Sequence, residues 1–340
     1  MIKLNLLFSF LLLVFALTAE AKSPPPGTGK ADVPANILIM LDTSGSMGVQ
    51  TGTTSTRLYY PYDIAVDSKG NVFVVEHTKH RIKKYDSSGN FLKTIGGGYS
   101  DSNGKFRYPM KIDIDSSDNI YVADLYNNRV QKFNNNGVWV RNFYNISRPI
   151  AVTVDTSGNV YATSNSNSGI IKRWNGSGSS LTPWFGSSYL WGLSYHSGYL
   201  YVSSYYSNKI EKYDSTGSLQ KSWSTGSNPY DVEANLNGVY VARAIRHNIQ
   251  KYTHSGTYST EWGSYGTGNS NFRYIHGLGS DSSGNIYVAD WYNRVVKKFD
   301  SNGVYKSSIG GDSGTRIADA KKVIKKLVSS SDLTKGANFG

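Results

Sequence analysis

The chain has 340 residues, with 36 basic and 24 acidic side chains for a net charge of +12, 35 glycines, 26 tyrosines and no cysteine. That length exceeds one ordinary core and fits a large repeat domain plus a smaller one, while 18% charged beside 13% aromatic residues excludes a disordered polyelectrolyte. The lack of cysteine excludes disulfides, thiolate nucleophiles and sulfur-ligated zinc.

Lys3 precedes an apolar run over residues 6–17, and Ala19-Glu20-Ala21 supplies the small-x-small pattern that a signal peptidase reads. Such a run is too short to span the hydrocarbon as a helix, so residues 1–21 are expected to be a cleaved export signal. The expected location is therefore secreted, periplasmic or cell-surface in a bacterium, with no transmembrane segment in the mature chain. Residues 22–34, rich in proline and glycine, read as a linker. Residues 35–41, Ala-Asn-Ile-Leu-Ile-Met-Leu, form an apolar run suited to a strand buried on both faces. The run leads into Asp42-Thr43-Ser44-Gly45-Ser46, which offers hard oxygen donors at i, i+2 and i+4 and closes a first segment at residue 48.

Residues 58–314 repeat themselves. Gly70-Asn71-Val72-Phe73-Val74 recurs as Asp118-Asn119-Ile120-Tyr121-Val122, Gly158-Asn159-Val160-Tyr161, Gly198-Tyr199-Leu200-Tyr201-Val202, Asn237-Gly238-Val239-Tyr240-Val241 and Gly284-Asn285-Ile286-Tyr287-Val288, spaced 48, 40, 40, 39 and 47 apart. A period near 40 holds four short strands and their turns. A second marker is a Lys or Arg directly before an aromatic in each third strand: Lys84, Lys132, Arg173, Lys212, Lys251 and Lys298. One four-stranded sheet cannot bury both faces, so six of them are predicted to close radially as a six-bladed β-propeller, without a strand borrowed from the other terminus.

These units resemble NHL repeats, most closely over residues 61–67, 120–133 and 286–299, whereas the third to fifth units lack the Ala-Asp pair after the second strand. The resemblance implies the propeller, and it spans binding modules, RNA binders and lyases. Beyond the repeats, Ile317, Ala320, Ile324 and Leu327 recur at helical spacing. A buried strand, an Asp-x-Ser-x-Ser loop and an amphipathic helix resemble the opening of a von Willebrand factor A domain. The expected fold is thus mainly β, a propeller inserted into a truncated α/β A domain made of residues 35–48 and 315–340. That resemblance implies that Asp42, Ser44 and Ser46 hold Mg²⁺ or Mn²⁺, with further ligands from later loops and an acidic group from a partner. The later loops do not occur in the sequence, which reads as a fragment of a longer protein or as a vestigial site. The start of the chain also resembles type IV pilus tip adhesins more loosely.

Of the +12 charge, +7 falls in the repeats, almost all of it at the six third-strand positions. Distributed so, it reads as a solvated ring that keeps sheet edges soluble, and nucleic acid is not expected as a partner. The six histidines do not coincide in register, so no three-histidine zinc site is expected. Asp63, Lys111 and Asp231 stand where the repeat usually has glycine, near the central channel, with His276 as a further channel candidate. These readings converge on an exported, non-enzymatic adhesion protein that recognises a protein or surface polysaccharide and is associated with pilus or envelope components. The alternatives are an extracellular lyase using the channel and a structural spacer.

Overall fold

The computed structural model describes residues 57–166 and 168–310. They form six antiparallel four-stranded sheets, each made of consecutive strands in simple up-and-down order. Blade 1 comprises Pro61–Val66, Val72–Glu76, Arg81–Tyr85 and Phe91–Gly96. The innermost strands of blades 2 to 6 are Pro109–Ile114, Pro149–Val154, Leu190–His196, Asp231–Asn235 and Ile275–Ser280. The expected six-bladed propeller is present, and no strand is exchanged among the described residues. The predicted first segment of the A domain, its metal loop and its resumed helix lie outside the described residues.

The repeated Asp-x-x-Gly-Asn stretches turn the chain between the first two strands. Asp67 Oδ1 accepts from the Lys69 and Asn71 amides at 3.1 and 2.8 Å, and Gly70 adopts φ +77°, a conformation that glycine supplies without strain. Asp115, Asp155 and Asp281 close the equivalent turns. At the other end of the second strand, single 3₁₀ turns such as His77–Lys79 and Leu125–Asn127 return the chain.

The six basic residues are not a free solvated ring. Each lies over the aromatic ring directly opposite it on the second strand: Lys84 on Phe73, Lys132 on Tyr121, Arg173 on Tyr161, Lys212 on Tyr201, Lys251 on Tyr240 and Lys298 on Tyr287, at 4.7–5.5 Å from the centroid. Three also reach the turn aspartate of their own blade, with Lys298 at 3.0 Å from Asp281. The second marker in the sequence is therefore a cross-strand cation–π pair, a direct side-chain contact across the pleat.

Neighbouring blades pack through buried aliphatic and aromatic side chains. Tyr85, Phe133, Trp174 and Phe299 are among the largest that are fully enclosed. At the junction of blades 6 and 1, Leu58 is fully buried with Ile309, Tyr287 and Val296.

Candidate functional site

Innermost strands of adjacent blades do not pair with each other, so their inward amides need other acceptors. Polar side chains of the preceding blade supply them. Asp63 accepts from the Ile112 amide at 2.8 Å, Asp113 from Val154 at 2.9 Å, Thr153 from Tyr195 at 3.2 Å, Ser194 from Ala234 at 3.0 Å and Asp231 from Leu278 at 2.8 Å. Hence the channel is polar for a structural reason before any functional one.

One layer of the channel is formed by Asp63, Lys111, Ala151, Gly192, Asp231 and Gly277, which are equivalent by strand register. Lys111 Nζ lies 2.5 Å from Asp231 and 3.5 Å from Asp63, and it donates to the His276 carbonyl at 2.9 Å. The small residues leave room for the aspartates: a Cβ on Gly277 would sit 2.1 Å from Asp63 Oδ1, and one on Gly192 2.5 Å from Asp231 Oδ1. Burial lifts Asp63 well above the usual carboxylate range, with Lys111 opposing and Asp231 reinforcing the shift. Burial raises Asp231 as well, again opposed by Lys111.

Three of the four channel residues predicted from sequence are thus brought into one ionic cluster. The fourth, His276, joins it through its backbone alone. Its ring lies 4.3 Å from that of Tyr62 and 3.8 Å from that of Trp291, centroid to centroid. Tyr62, Met110, Ile150, Tyr230 and His276, all buried and each directly preceding a residue of the layer, make a plug over the cluster, with the partly buried Trp291 packed against it. Burial pushes the His276 imidazole well below its usual value, so the ring is neutral.

On the opposite side of the cluster the channel opens into a cavity of about 330 Å³. The next inward layer lines it, and there sequence reasoning missed the important residues: Asp113, Thr153, Ser194 and Glu233. Asp113 is fully engaged, accepting from the Ile114 and Val154 amides and from the Thr153 hydroxyl at 2.7 Å. Glu233 differs, because the hydrogen bonds that reach it come from hydroxyls: Ser280 at 2.6 Å and Ser194 at 3.3 Å. Burial lifts its carboxyl to about 8, with the charges of Asp113 and Asp231 adding to the rise and the serines opposing it. Burial also raises Asp113, to about 6, against its hydrogen bonds to Thr153 and Val154. Both carboxyls keep partial access to solvent through the cavity mouth. The signal for this layer was present in the sequence, two positions beyond Lys111, Ala151, Gly192 and Asp231 on the same strands.

Among the described residues no group of three or more His, Asp or Glu side chains is arranged to hold a metal ion. The expected ligands Asp42, Ser44 and Ser46, and with them the expected Mg²⁺ or Mn²⁺, fall outside those residues. No helix of the described residues is long and apolar enough to cross a membrane.

Residues 106–133 match the NHL repeat, and residues 49–80 match a beta-propeller repeat. No curated protein matches the sequence. Among solved structures, virginiamycin B lyase from Staphylococcus aureus is similar with a TM-score of 0.54 and 15% identity over 75% of this chain and 85% of that one. A streptogramin B lyase gives 0.56 and 17% over 75% and 84%. A catalytically inactive virginiamycin B lyase from Staphylococcus aureus with quinupristin gives 0.56 and 18% over 76% and 86%. At these identities the likeness establishes the shared propeller fold. The expectation that the chain is not an enzyme is corrected here: the three solved structures named above, which share its fold, are of lyases.

Proposed function

We propose that the propeller channel is an active site for elimination chemistry, with Glu233 as the proton-transfer group. The observation that carries this reading is the Glu233 carboxyl, poised at about 8 in an open cavity and held by hydroxyls alone. A group that titrates near neutrality is matched to both halves of a proton transfer. In its ionised form it removes a proton from a carbon next to an electron-withdrawing group. The C–H electron pair becomes the new carbon–carbon double bond, the bond to the leaving group breaks, and Glu233 returns the proton to that group. Asp113 is a positioning residue in this scheme: its charge keeps Glu233 basic, while its own oxygens accept from the Ile114 and Val154 amides and the Thr153 hydroxyl. The lyase neighbours support elimination over hydrolysis, and adhesion draws no support from the described residues.

Quinupristin and a panel of peptides and sugars bearing a leaving group β to a carbonyl are suitable first substrates. Elimination gives products whose masses sum to that of the substrate, whereas hydrolysis adds one water. Mass-conserving turnover by the wild type that is lost in Glu233→Gln is expected. Products carrying an added water, or equal rates in the two proteins, would overturn the reading.

A further inference from the structure

The face that carries the plug is built differently from the cavity mouth. In blade 1 the register runs from Pro61 opposite Glu76 to Val66 opposite Val72, so residues just before the first strand share one rim with the 3₁₀ turns, and the cavity opens at the other. On the first rim Tyr99, Tyr126, Tyr206, Tyr265 and Tyr292 are exposed, whereas ten other tyrosines of the fold are buried. Guanidinium groups lie against this set, with Arg148 over Tyr126 at 5.4 Å, Arg107 over Tyr99 at 4.9 Å and Arg273 over Tyr265 at 5.9 Å.

The rim hollows into a cavity of about 650 Å³ between blades 5, 6 and 1, walled by Tyr60, Tyr265, Tyr274 and Tyr292 with Arg273 and Arg294. No carboxylate lines it among the described residues. His247 completes the wall, and its Nδ1 is buried without a hydrogen-bond partner. Arg273 is exposed; its guanidinium lies over the Tyr265 ring and donates a long 3.5 Å hydrogen bond to the Tyr265 hydroxyl.

We propose that this cavity binds an acidic polysaccharide, the tyrosine rings stacking on pyranose faces and Arg273 pairing with a uronate carboxylate. Flat aromatic walls suit the apolar face of a sugar ring, and a planar guanidinium suits a carboxylate held in two-point contact. Two cations among four aromatics give an intermittent charge, unlike the continuous basic track that single-stranded nucleic acid requires. The site stands apart from the channel chemistry, since the buried plug separates the two.

Affinity electrophoresis and calorimetry with polygalacturonate, its methyl ester and poly(dT) test the assignment on the whole protein. Polygalacturonate is expected to bind at least about tenfold more tightly than the methyl ester, as loss of a charge-assisted hydrogen bond implies. Arg273→Gln should lose about the same factor with an unchanged melting temperature, and Tyr265→Ser supplies a second variant on the cavity wall. Equal binding of acid and ester, tighter binding of poly(dT), or unaltered affinity in both variants would overturn it.

Discussion

Lys111 Nζ and Asp231 Oδ2 stand 2.5 Å apart, an ion pair that joins blade 2 to blade 5 across the axis of the ring. Six-bladed geometry makes those blades diametrically opposite. One lysine therefore spans the channel and, with Asp63 at 3.5 Å, ties three blades together in the interior.

Lys111→Met removes the only cation of this cluster and leaves two buried carboxyls facing each other. One-sided loss of a buried pair costs about 3–5 kcal/mol. Asp63 and Asp231 are already raised by burial, and without Lys111 they rise further. A carboxyl with a raised folded pKa holds its proton more tightly folded than unfolded, so stability falls as pH climbs above the unfolded value of about 4. The deficit of the variant should be largest near pH 8 and smaller near pH 5. Urea unfolding at both pH values measures it, and equal deficits would reject the ionic account.

Gly277→Ala tests the packing of the same layer. Its Cβ would come within 2.1 Å of Asp63 Oδ1 and 2.6 Å of the Tyr62 carbonyl, and backbone cannot swing aside. A loss at or above the usual 1–3 kcal/mol for overpacking, roughly, is expected by thermal or chemical unfolding. Wild-type stability would show that the blades can part at this point.

Glu233→Gln should separate stability from activity. The wild-type carboxyl titrates at about 8 when folded and near its ordinary value when unfolded. The folded state therefore binds the extra proton between those values, and stability declines as pH rises through that window. Glutamine removes the decline, so the variant should gain on the wild type at pH 9 and match it more closely at pH 5. Parallel stability profiles would mean that Glu233 is not perturbed.

The channel reading also fixes a pH–rate profile. Proton abstraction needs ionised Glu233, so kcat/KM should rise to a limb near pH 8. Asp113→Asn removes a neighbouring charge that holds this pKa up, and the limb should move to lower pH with the fold retained. A limb that stays in place would deny Asp113 its positioning role, and the rate itself should drop about 10²–10⁴-fold in Glu233→Gln.

The blades were legible because each repeats its own turn chemistry, Asp67 to Asn71 and its counterparts, and because a marker such as Lys84 with Tyr85 recurs at the same offset in every unit. The partner of Lys84 was not legible. Its aromatic is Phe73, eleven positions earlier, and only the strand register places the two opposite one another. Asp63, Lys111 and Asp231 stood out against the glycines around them. Asp113 and Glu233 did not, since an alternating strand tolerates polar residues at many positions, and burial alone distinguishes these two from solvated carboxylates.

Leu58 closes the junction between the last blade and the first by the same kind of hydrophobic packing found at the other five, with no strand shared across it among the described residues. Where the polypeptide starts is consequently arbitrary as far as the torus is concerned. A gene rearranged to begin between any other two blades, with the old ends joined by a short flexible link, should yield the same closed ring.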